Sequence, residues 1–106
     1  MGRRRIDTTQ TITLDGVPGT MQLVRSGRTV QLSIEVTLTM SLTWQEIVPA
    51  AKIPADLRPK VRFYSVLATS NGSPKMVTIA EHRTNGSIAV PPGAPGKYFG
   101  SATWAV

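Results

Sequence analysis

Residues 28–44 read RTVQLSIEVTLTMSLTW, and side-chain character changes at every step. Val30, Leu32, Ile34, Val36, Leu38, Met40, Leu42 and Trp44 share one parity, and Thr29, Gln31, Ser33, Glu35, Thr37, Thr39, Ser41 and Thr43 share the other. A strand sends successive side chains to opposite faces, so a two-residue rhythm marks a sheet with one buried and one wet side. The stretch is far longer than the ~5–6 residues of an ordinary strand, which predicts a bend, bulge or turn near Thr39–Ser41. A bend there leaves open whether the core face continues beyond it.

The neighbouring segments extend the pattern. Met21–Arg25 reads as a strand joined through Ser26 and Gly27 to the strand that follows, a hairpin signature. Thr8–Leu14 alternates and is closed by Asp15 and Gly16, with Pro18 and Gly19 marking a further turn; a short edge strand fits there. Arg62–Ala68 is rich in β-branched and aromatic residues, and Ser70–Pro74 breaks it. Met76–His82 and Ser87–Val90 flank Asn85-Gly86, a strong short-range hairpin signal. Pro91, Pro92, Gly93, Pro95 and Gly96 admit no regular element. In Tyr98–Val106, residues Tyr98, Gly100, Ala102, Trp104 and Val106 fall on one face, as in a core strand. Helix is expected at most as one turn, near Ala50–Lys52 or Ala55–Leu57. Seven or eight short strands predict an all-β fold, a small antiparallel β-sandwich or barrel of jelly-roll type.

The chain has 106 residues and a net charge of +6. That length suits one domain, assigned here to residues 8–106. Arg3, Arg4 and Arg5 place half of the excess charge in a basic N-terminal tail, residues 1–7. There is no cysteine, which excludes disulfides, thiolate metal sites and thiol nucleophiles. No apolar run reaches the ~18–20 residues of a membrane span, and no membrane insertion is expected.

The residues that carry catalysis are sparse. His82 is the only histidine, so one chain cannot form a two-histidine metal site; it reads as a surface hairpin residue. Asp7, Asp15, Glu35, Glu46, Asp56 and Glu81 are scattered over strand borders, wet faces and turns and read as solvated. No phosphate loop is present, because PPGAPGK at 91–97 lacks the strand-to-helix setting and the hydroxyl residue. Neither an enzyme nor a cofactor is expected. Arg58, Lys60, Arg62, Phe63 and Tyr64 interleave cations and aromatics as single-strand binders do, but Arg58 reads as part of a turn and Phe63 as core, so nucleic acid is the lesser reading. Trp104 reads as core; Trp44 is open between core packing and stacking on a sugar ring. Arg62, Tyr64, Asn71, His82, Arg83 and Asn85 are further polar or aromatic side chains at strand ends and turns.

The hairpin MQLVRSGRTVQLSIEV, the segment with Trp44, IPADLRP at 53–59, MVTIAEHRTNGSIAV and the closing YFGSATWAV follow one another in an order that resembles C-terminal domains of tailed-bacteriophage tail proteins. The likeness runs from about Gly19 onward. Ile53, Asp56 and Leu57 depart from that pattern, where such domains carry leucine, glycine and an aromatic residue. The resemblance implies a virion component, a homotrimer at a tail fibre or baseplate tip, that contacts other tail subunits and host-surface polysaccharide without catalysis. On that reading the saccharide contacts are drawn from Trp44, Arg62, Tyr64, Asn71, His82, Arg83 and Asn85. An architectural virion protein, such as a capsid decoration or tail accessory, and a single-strand-binding barrel are the alternatives. Met1 begins either a complete small protein or a piece of a longer fibre.

Overall fold

The computed structural model describes residues 7–14, 17–69, 76–93 and 95–106. Their strands are β1 (Asp7–Thr13), β2 (Gly19–Ser26), β3 (Thr29–Leu38), β4 (Gln45–Val48), β5 (Phe63–Thr69), β6 (Val77–His82), β7 (Ile88–Val90) and β8 (Gly96–Ala105). One turn of 3-10 helix, Ala55–Leu57, interrupts them. All pair antiparallel in one curled sheet of order β1-β2-β3-β8-β5-β6-β7-β4. The fold is all-β, as the alternation requires, and β1 lies at an edge as expected.

Strand β8 joins two halves. It pairs with β3 along its whole length, Thr29 opposite Ala105 through Leu38 opposite Gly96. With β5 it pairs only at Leu67–Gly100, Ala68–Phe99 and Thr69–Tyr98. Beyond Gly100 the two strands separate, and the sheet closes over its own apolar side. The seam is tight because residue 100 is glycine: a Cβ there would stand 2.4 Å from Leu67 Cδ2 and 2.8 Å from the Val66 carbonyl oxygen.

The enclosed core takes one parity from each of β2, β3, β5 and β8. Met21 and Leu23 of β2, Val30, Leu32, Ile34, Val36 and Leu38 of β3, Leu67 of β5 and Tyr98, Ala102 and Trp104 of β8 are buried. Each fully buried aliphatic side chain contributes ~1.5–3 kcal/mol relative to exposure. In β4 the register shifts between Glu46 and Val48, so Ile47 and Val48 are both buried although adjacent. Trp104 is core as expected, its indole N–H donating to the Leu57 carbonyl at 2.9 Å. Arg58 also fulfils its expected turn role, donating from Nε to the Ile53 carbonyl at 2.8 Å and from Nη2 to the Ala50 carbonyl at 3.3 Å.

The break expected near Thr39–Ser41 is present, and the core face does not continue past it. β3 ends at Leu38, and Met40, Leu42 and Trp44 are 71%, 90% and 48% exposed. Ser41 makes an isolated bridge to Gly93. Its hydroxyl also donates to the Thr43 carbonyl and accepts from the Thr43 N–H. This local turn leaves the ladder, so the alternating side chains that follow have no facing layer.

Candidate functional site

The β5–β6 ladder pairs Phe63 with His82, Tyr64 with Glu81, Ser65 with Ala80 and Val66 with Ile79. The pleat therefore sends Phe63, Ser65, Ala80 and His82 inward and Tyr64, Val66, Ile79 and Glu81 outward. The next strands continue the outer row, because Ala89 of β7 lies opposite both Glu81 and Glu46.

Glu81 is the centre of this outer face. Although carboxylates are rarely buried, it is only 8% exposed, which overturns the solvated reading. The Tyr64 hydroxyl donates to its Oε2 at 3.0 Å, and Arg83 Nε donates to its Oε1 at 2.5 Å. Arg62 Nη1 lies 3.9 Å from Oε2, and Arg83 reaches on to Glu46 with Nη1 at 3.5 Å. The Arg83 hydrogen bond is the main cause that holds the Glu81 pKa below 4.5; burial opposes it, and Tyr64 and the charges of Arg83 and Arg62 assist. The two arginines and two glutamates balance in charge. Charge-assisted bonds of this kind fix side-chain directions.

Three residues proposed from the sequence thus meet: Arg62, Tyr64 and Arg83. Tyr64 keeps half of its surface open, at 51%, while its hydroxyl is tied down, and the Arg62 side chain is 64% exposed. Val66, Val77 and Ile79 border them as exposed aliphatics.

The remaining candidates lie elsewhere. His82 is no surface residue: it is 2% exposed on the inner side, its ring stacked on Phe63 at 4.4 Å and its Nε2 2.7 Å from Ser65 Oγ. Burial lowers its pKa to about 4. Parity with Ala80 puts it there. Asn85 is exposed, but its Oδ1 accepts from the Ser87 N–H at 2.9 Å and the Ser87 hydroxyl at 2.8 Å, closing the β6–β7 turn. Trp44 is half exposed just before β4, and Asn71 lies outside the described residues. Phe63 stacks on His82 and tilts against Trp104, so the interleaved stretch 58–64 does not present a continuous stacking platform. Among the described residues no group of three His, Cys, Asp or Glu side chains is placed to hold a metal, and no helix is long and apolar enough to cross a membrane.

Sequence reasoning missed Glu81. Its parity with Arg83 was readable, but its position opposite Tyr64 depends on the β5–β6 register, which no local signal fixes. Searches against known protein families and against curated proteins find no match to this sequence.

Proposed function

We propose that this chain is a non-enzymatic binding domain of a phage virion, a tail-tip or receptor-binding module that attaches to host-surface saccharide through the outer face of β5 and β6. The observation that carries the saccharide part is the half-open Tyr64 ring whose hydroxyl is held by Glu81. An aromatic ring with one apolar face and one anchored polar end suits the C–H side of a pyranose. Arg62 and Arg83 border it with several N–H donors each for sugar hydroxyls, and the pairing of Arg83 with Glu81 and Glu46 lowers the ordering cost of its share. The virion setting rests on the resemblance in strand order and turn motifs, and a homotrimer with other tail subunits as neighbours belongs to the same reading.

The test is binding of the purified chain to an array of bacterial surface polysaccharides, with release by free sugar. Tyr64→Ala is expected to weaken capture at least tenfold, and Arg62→Ala less. Loss of no affinity in Tyr64→Ala would remove this face from the site. A chain that captures no glycan but binds isolated virion subunits would replace attachment by architecture, a second reading that exposed Val66, Val77 and Ile79 favour.

A further inference from the structure

The segment after β3 carries a knob and, beside it, a hole. Ser41 is fixed by its bridge to Gly93 and its two hydrogen bonds with Thr43, which sets Leu42 on the tip of a short turn. Turn tips usually carry Gly, Asn, Asp, Ser or Pro; this one presents leucine at 90% exposure between Met40 and Trp44. Next to it is a cavity of about 100 Å³ in which Leu38, Met76, Pro91 and Tyr98 form an apolar wall beside the polar Thr39 and Gln45. At ~30 Å³ per water, that space is on the scale of a four-carbon side chain. The chain's own Leu42 does not fill it, although Ser41 lines it.

We infer that a second copy of this chain seats its Leu42 in that cavity, with Met40 and Trp44 covered at the same contact. The inference deepens the multi-copy reading proposed above and rests on it. Charge selects the partner's approach: a chain of net charge +6 repels itself, yet none of residues 36–45 carries a formal charge, and neither does any residue lining the cavity. Two copies can meet there without opposing like charges. Because knob and hole lie side by side, two copies can exchange their Leu42 side chains mutually, which closes the contact into a pair; a one-way insertion gives a ring where its rotation closes. The rhythm of residues 28–44 then has one meaning throughout, with its first part buried by the chain itself and its last part by a neighbour.

Light scattering on the purified chain tests this. The wild type is expected at two or more times the 11.4 kDa of one chain, and Leu42→Asp at the single-chain mass with an unchanged β-type circular dichroism spectrum. A wild type that stays at the single-chain mass at the highest attainable concentration overturns both this contact and the multi-copy reading. A Leu42→Asp chain that assembles like the wild type overturns the contact alone. Should Leu42→Asp not fold, cysteines decide, since the chain has none of its own. Leu42→Cys mixed with Pro92→Cys should give a disulfide between copies under mild oxidation, and Gln31→Cys mixed with Pro92→Cys should not. Equal yields from both mixtures overturn the contact.

Discussion

Strand β3 and the segment that follows it share one sequence rhythm and have opposite fates. From Val30 to Leu38 the apolar side chains are almost wholly buried, paired on one side with β2 and on the other with β8. From Met40 to Trp44 the same alternation faces solvent. The difference is not in the residues, because leucine occupies positions 32 and 42 alike. It lies in what stands opposite: β2 and β8 hold β3 within a sheet whose inner side is covered, whereas the Ser41 turn leaves the ladder. Alternation thus records that one side of a segment is suited to an apolar surface, and does not say which molecule provides it.

The sharpest way to break this comparison is to shorten both leucines. Leu32→Ala is expected to cost ~2–5 kcal/mol, the transfer term plus an unfilled cavity. Leu42→Ala, measured where the chain is a single copy, should change stability by no more than ~0.5 kcal/mol. Urea unfolding of both variants supplies the numbers. A Leu42→Ala loss near that of Leu32→Ala would mean that the turn packs on the chain's own core.

The same comparison shows what the sequence made readable. Where alternation coincides with a strong turn signal, as at Ser26-Gly27 and Asn85-Gly86, the strands follow it closely. The site was half legible. Arg62, Tyr64 and Arg83 were open to selection as polar or aromatic groups near strand ends, but their meeting point, Glu81, follows from pairing between β5 and β6 across the undescribed residues 70–75. His82 was misplaced because closeness to a turn suggested exposure, while parity with Ala80 puts it inside. Local chemistry indicates which residues can act; register decides which of them meet.

His82 extends the comparison to acid. Its inward ring is held neutral, with a pKa lowered from 6.5 to about 4 by burial. The unfolded chain takes up this proton near 6.5, so the stabilising preference for the neutral ring is complete above pH 6.5 and is lost as pH falls through about 4. At ~1.4 kcal/mol per pH unit the whole loss is ~3 kcal/mol. Glu81, on the outer side, acts in a lower window: its pKa is depressed, so its contribution is present above 4.5 and declines only below that. Urea midpoints from pH 7.5 to 4 should therefore fall in the wild type and stay nearly level in His82→Phe across 6.5 to 5. An unchanged slope in that variant would assign the acid sensitivity to other groups.

The smallest expected effect concerns light rather than stability, and it separates the two ends of the comparison directly. Trp104 is enclosed with Phe63 and His82 and bonded to the Leu57 carbonyl, whereas Trp44 closes the exposed segment. With Trp44→Phe, emission from Trp104 should be little quenched by iodide at any protein concentration. With Trp104→Phe, emission from Trp44 should be readily quenched in dilute solution and progressively shielded as concentration rises, because a second copy covers residues 40–44 by the contact inferred above. Shielding that follows concentration ties the last part of the rhythm to a neighbouring chain, and quenching that is equal at all concentrations leaves that part of the surface bare.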